Sequence, residues 1–135
     1  MITSADQWDS ERWSNFTPDE FKCSHCGELK ISPLILDFVQ AYRQVKGSGV
    51  SITSGYRCPE HNSSVSSTGA EGPHTTGIAI DISTNTQTQY GLIRFAMNYN
   101  PQAMGIGVAK TFTHIDFLTA DLGDKYTVRP NVWKY

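Results

Sequence analysis

Apolar positions along this chain fall into two helical stretches and a few short alternating ones. After Ser32 and Pro33, residues Leu34, Ile35, Phe38, Val39, Tyr42 and Val45 recur at the three-and-four spacing of an amphipathic helix. A capping Ser followed by Pro at the first helical position starts it. Gly47, Ser48 and Gly49 stop it, which predicts a helix over roughly residues 33–46. Leu92, Ile93, Phe95 and Ala96 predict a second amphipathic helix over roughly 87–98. Asn15, Thr17, Pro18, Asp19 and Glu20 carry the same cap-then-Pro signal, with acids in the first turn, and predict a short helix there.

The strands are shorter. Val50 to Thr53 alternates, Ile78 to Ile82 is a largely apolar run, and residues 105–109 and 112–118 read as a hairpin around Lys110 and Thr111. Residues 62–73 are rich in Ser and Gly and read as a long loop, a kind of segment that is often functional in a compact domain. Residues 1–15 read as a loosely packed polar arm, and 119–135 as an irregular tail with Trp133 and Tyr135 as docking anchors. The fold class expected is α+β: a small antiparallel sheet with helices against one face.

Composition narrows the function more than it names it. The chain has 135 residues, which predicts a single domain over 1–135 with enough length for a real core. Its net charge is −2 and its pI about 6.0, with no basic stripe, so no nucleic-acid partner is expected. No apolar run approaches the roughly 20 residues that span a membrane. The first residues, Met1 to Gln7, are polar and lack the apolar core of a secretory signal, so a soluble product made in the cytoplasm is expected. A monomer is expected.

One Asp in the apolar run Ile78 to Ile82 calls for a reason, because an unpaired buried carboxylate is costly. Asp81 is that residue; His74 lies just before the strand, and His114 sits at the centre of Phe112 to Phe117. Two imidazoles and a carboxylate are a common catalytic zinc shell, with a fourth position left for water or substrate. Such a metal polarises a carbonyl and acidifies water. Asp116 shares a strand face with His114, since side chains at i and i+2 point the same way, and is the candidate general base. The spacing is also compatible with a satisfied polar His and with an Asp paired to one of the 11 Lys or Arg residues; no His-Glu-x-x-His signature is present.

Three blocks carry a resemblance. They are Thr53 to Asn62 (TSGYRCPEHN), Pro73 to Ile82 (PHTTGIAIDI), and Gly105 to Val108 followed by Phe112 to Asp116 (GIGV…FTHID). In order, spacing and residue type they resemble the M15 family of zinc peptidases, in its D-alanyl-D-alanine carboxypeptidase-like branch of phage and bacterial peptidoglycan enzymes. The likeness spans roughly residues 15–135. It implies the hedgehog/D-Ala-D-Ala-peptidase-like fold, with His74, Asp81 and His114 as zinc ligands. It also implies Asp116 as the catalytic carboxylate and Arg57 as a clamp on a substrate carboxylate or carbonyl. Other branches place Glu or Asp three residues before the last His, where this chain has Thr111; Pro73 stands where Ser or Gln is frequent.

The implied function is zinc-dependent cleavage of peptidoglycan stem or cross-bridge peptides, as carboxypeptidase or endopeptidase, in a phage lysin for instance. It would act on cell wall after release or as a virion component. The alternative is a zinc-containing cell-wall-binding or phage structural module without turnover.

The cysteines stand apart. Cys23 and Cys26 form a Cys-x-x-Cys followed by Gly27, and Cys58 and His61 repeat the spacing. The four could hold a second, structural zinc, with His25 as an alternative fourth donor. Otherwise Cys23 and Cys26 stay reduced or bridged, and Cys58 packs in a core.

Overall fold

The computed structural model describes residues 1–100, 103–118 and 128–135. Among these residues three α-helices, α1 (Pro33–Lys46), α2 (Pro59–Val65) and α3 (Thr86–Tyr99), accompany five strands: β1 (Ile52–Ser54), β2 (Ala79–Ser83), β3 (Gly105–Val108), β4 (Phe112–Asp116) and β5 (Asn131–Lys134). The strands form one sheet in the order β1-β2-β4-β3-β5. The fold is α+β, as the periodicities predict. Among the described residues no helix is long and apolar enough to cross a membrane.

The helix starts follow from their caps. Ser32 Oγ accepts the Leu34 N–H ahead of α1, and Asn85 Oδ1 accepts the N–H groups of Gln87 and Thr88 ahead of α3. Gly47, in the left-handed region at φ 71°, closes α1 and donates its N–H to the Arg43 carbonyl. Helix α1 buries Ile35, Leu36, Phe38, Val39 and Tyr42, and α3 buries Leu92 and Ala96, in the same core as Ile80, Ile82, Ile106 and Ile115 of the sheet.

Strand alternation then divides the sheet. In β2, Ile80 and Ile82 face the core while Asp81 faces the other way; in β4, Thr113 and Ile115 face the core while His114 and Asp116 do not. Asp81 stands opposite His114 in the β2–β4 register, and Gly107 and Gly105 stand opposite His114 and Asp116 in the β3–β4 register. The site therefore lies on the sheet face opposite the apolar core.

Three expectations change. The first residues are not a loose arm: Ile2 pairs with Ile31 through two backbone hydrogen bonds, and Trp13 is buried with its Nε1 donating to Asp37. Residues 62–73 are not all loop, because α2 occupies Pro59–Val65 behind a Cys58 cap. The tail is not wholly irregular: β5 pairs in parallel with β3, so the sheet is antiparallel in four strands and parallel at one edge. The remainder of that tail, 119–127, lies outside the described residues.

Candidate metal centre

His74, Asp81 and His114 come together as the register requires. Their ligand atoms lie within 4.8 Å of one another, and all three residues are buried. His74 is delivered by a 3₁₀ turn, Pro73–Thr76, that ends at Gly77 in the left-handed region at φ 80°. His74 Nε2 is 3.1 Å from Asp81 Oδ1, and His114 Nδ1 is 3.0 Å from the same oxygen.

The far ring nitrogens are fixed. His74 Nδ1 lies 2.7 Å from the Gly55 carbonyl. A carbonyl can only accept, so Nδ1 carries the proton and Nε2 presents its lone pair toward Asp81. His114 Nε2 lies 2.8 Å from Asp116 Oδ2, which turns Nδ1 toward Asp81. Outer partners of this kind orient metal-binding imidazoles.

Bond lengths test the fit. Tetrahedral zinc with bonds of roughly 2.0–2.2 Å to N and O sets its donors about 3.4 Å apart. Separations of 3.0 and 3.1 Å are close to that, so the donor set fits a zinc ion after small adjustments.

Electrostatics suit a cation. Burial pushes the Asp81 carboxyl up, but hydrogen bonds with His114 and His74 outweigh it and hold the group well below the usual carboxylate range. Burial lowers the His74 pKa and favours the neutral ring, the form that ligates. Burial acts the same way on His114, but its bonds to Asp116 and Asp81 prevail and raise it.

Arg57 stands beside the trio. Its Nη2 donates to Asp81 Oδ2, its Nη1 to Asn62 Oδ1 and its Nε to Ser54 Oγ, each at 3.1 Å. A guanidinium has five N–H groups, so two remain for a ligand. A cleft of about 550 Å³ is lined by Arg57, His74, Asp81 and His114 together with the aromatic rings of Phe112, Trp133 and Tyr135. Gly107 of β3 makes room for these rings: a Cβ on it would lie 2.9 Å from Trp133 Nε1 and 2.8 Å from Tyr135.

Asp116 shares the face of His114, as alternation predicts, and its carboxylate is held by His114 and Arg129. It is fully buried and does not line the cleft. Its Oδ2 meets His114 Nε2 and Arg129 Nη2, and its Oδ1 meets Arg129 Nε and, at 3.4 Å, the Leu118 N–H. Burial would raise its pKa; the bonds to His114 and Arg129 win and pull it to about 2. Arg129 and Asn62 are the residues that sequence reasoning missed. Asn62 is buried, binding Arg57 and also Thr68 Oγ1 and the Gly69 carbonyl, which ties α2 to the loop beside the cleft. Asn62 ends the Thr53–Asn62 block that carries the resemblance, which was its signal; Arg129 had none.

The cysteines gather elsewhere. The sulfurs of Cys23, Cys26 and Cys58 lie within 4.8 Å of one another, with no disulfide among them. His61 Nδ1 is 3.6 Å from Cys23 Sγ, whereas His25 Nε2 pairs with Glu60 at 3.6 Å.

A family model described as Peptidase M15 matches residues 14–116, more than half of the chain, and the chain belongs to that family. M15 peptidases are zinc-dependent, which places the protein among the metallopeptidases. Comparison with curated proteins and with solved structures gives no match.

Proposed function

We propose that this M15 peptidase hydrolyses peptide bonds of peptidoglycan stems or cross-bridges, as a member of the D-alanyl-D-alanine carboxypeptidase-like branch, and that it serves as a cell-wall lysin of phage type. The observation that carries the reading is the His74–Asp81–His114 trio on the wall of a cleft that Arg57 also lines.

His74 Nε2, Asp81 Oδ1 and His114 Nδ1 would hold the zinc ion. Zinc supplies Lewis acidity toward a peptide carbonyl and makes water a stronger acid near neutral pH. The chain's own residues do the rest. Gly55, through its carbonyl, and Asp116, through its carboxylate, keep the two imidazoles turned toward Asp81. Asp116 is thus a positioning residue in this proposal. Arg57 neutralises Asp81 Oδ2 and offers its two remaining N–H groups to a substrate carboxylate or carbonyl. Trp133 and Tyr135 form an aromatic wall against which an apolar D-alanyl methyl packs. A cationic group beside the trio suits either a terminal carboxylate, as a carboxypeptidase requires, or an internal peptide carbonyl, as an endopeptidase requires.

A second reading has one observation in its favour. Among the described lining residues Asp81 is the sole carboxylate, so no separate proton acceptor faces the cleft there. A module that binds zinc and cell wall without turnover would need none.

One experiment separates these readings. Purified peptidoglycan is digested with the protein, with and without chelator, and the fragments are weighed by mass spectrometry. Loss of a terminal alanine that chelator abolishes supports the carboxypeptidase; internal cleavage makes it an endopeptidase. Binding to the wall without new fragments would leave the module.

A further inference from the structure

The cysteine cluster is not used by the cleft chemistry, and its geometry is that of a second metal site. We propose that Cys23, Cys26, Cys58 and His61 form a closed structural zinc site. It would staple the N-terminal segment to the connection between β1 and α2, the connection that carries Arg57.

Distances support four donors. Zinc bonds of roughly 2.3 Å to sulfur and 2.0–2.1 Å to nitrogen, arranged tetrahedrally, put sulfurs about 3.8 Å apart and a sulfur about 3.6 Å from a nitrogen. The three sulfurs lie within 4.8 Å of one another, and Cys23 Sγ stands 3.6 Å from His61 Nδ1. His61 lies beside the trio rather than within it, so it is the donor that moves most on binding. His25 is engaged by Glu60 and stacks on the His61 ring at a centroid distance of 5.7 Å.

The backbone is shaped for sulfur ligands at both pairs. Gly27 takes φ 77° and donates its N–H to the Cys23 carbonyl at 2.8 Å, closing a tight turn that brings Cys26 back to Cys23. A Cβ on Gly27 would meet nothing, so the glycine is there for its conformation and not for space. Across the cluster, the Cys58 N–H points at Cys23 Sγ at 3.3 Å, and the His61 N–H points at Cys58 Sγ at 3.4 Å. Backbone donors aimed at sulfur favour a ligating thiolate. Cys58 also caps α2, so one residue starts the helix and supplies a donor.

A staple is useful here. The two segments already touch through the Tyr56 N–H to the Phe21 carbonyl, 2.9 Å. Beyond that contact, Cys23 and Cys58 with Tyr56 form a buried cluster separate from the main core. Three thiols release three protons to solvent as the metal binds, and that binding free energy becomes folding free energy.

Cobalt(II) tests the site on the full chain, because thiolate-to-cobalt charge transfer absorbs in the near ultraviolet and imidazole or carboxylate ligation does not. The wild-type protein should show this band. Cys26→Ser and Cys58→Ser should lose it together with one zinc ion per chain, while His114→Ala should keep the band and lose a different zinc. His61→Ala should weaken metal retention at the thiolate site at least tenfold in chelator competition. Were the serine variants to misfold, the wild-type spectrum would still decide. A wild type loaded with metal that shows no thiolate absorption, or a disulfide found by mass spectrometry, overturns the proposal. Cell-wall activity is not the readout, so this result stands or fails apart from the peptidase reading.

Discussion

Arg129 grips Asp116 with two hydrogen bonds, Nε to Oδ1 at 2.7 Å and Nη2 to Oδ2 at 2.8 Å. Asp116 is fully buried and the Arg129 side chain nearly so, at 10% exposed. The pair continues through Asp116 Oδ2 to His114 Nε2, and from His114 Nδ1 to Asp81. A residue just ahead of β5 therefore helps to orient an imidazole on β4. Gly105, opposite Asp116 on β3, leaves the space: a Cβ there would lie 2.5 Å from both Asp116 Oδ1 and Arg129 Nε.

Removing Arg129 should leave Asp116 buried without its cation. Breaking one side of a buried ion pair costs about 3–5 kcal/mol. Arg129→Met should thus lower unfolding free energy by roughly that amount in urea titration, and double replacement with Asp116→Leu should recover part of it. Unchanged stability in the single variant would mean that water reaches the pair.

Asp116→Asn distinguishes positioning from proton transfer. Loss of an outer partner of a metal-binding His typically weakens metal affinity about 10–100-fold. Chelator competition should show a drop in that range. Full zinc affinity with a rate loss of about 10²–10⁴ would instead make Asp116 the general base.

Gly55 is fixed from two sides. Its carbonyl accepts from His74 Nδ1, and a Cβ on it would lie 2.5 Å from the Phe21 carbonyl oxygen. Gly55→Ala must therefore move backbone, at about 1–3 kcal/mol. It should also loosen zinc, because the His74 ring loses its anchor. Crystallography of an alanine variant with an unmoved 55–74 contact would refute this.

The Asp37 carboxylate gives a pH signature. Burial raises its pKa, but bonds from Arg12 (Nη2 to Oδ2, 2.6 Å) and from Trp13 Nε1 prevail and lower it. A folded-state pKa below the unfolded value of about 3.9 stabilises the protein above that pH. The contribution is lost as pH falls through the depressed folded value. The melting-temperature gap between wild type and Asp37→Asn should accordingly be widest above roughly pH 5 and close as pH drops below 3. A gap that stays constant across that range would deny the bond its role.

Much of the fold was legible because its cause is local. The spacing of Ile35, Phe38, Val39 and Tyr42 determines a buried helical stripe, and the structure gives α1 the predicted bounds, 33–46. Alternation in β4 determines that His114 and Asp116 share a face and that Ile115 faces the core. Helix α2 was less legible: Cys58 is an unusual cap, and Asn62, Ser63 and Ser64 read as loop, yet Asn62 is buried by its bonds to Arg57 and Gly69.

The sequence by itself thus determined the α+β class, the two long helices, the site face of β4 and the residue types that could hold a metal. Those follow from covalent geometry and near-neighbour periodicity, which act within a few residues. Tertiary structure alone decided that the first residues pack through Trp13 onto Asp37, and that β5 joins β3 in parallel. It also decided that Arg129 reaches Asp116 and that Asp116 meets His114 Nε2. Each of these depends on which distant segments meet, and burial then replaces the water around a carboxylate with a fixed cation and a fixed imidazole.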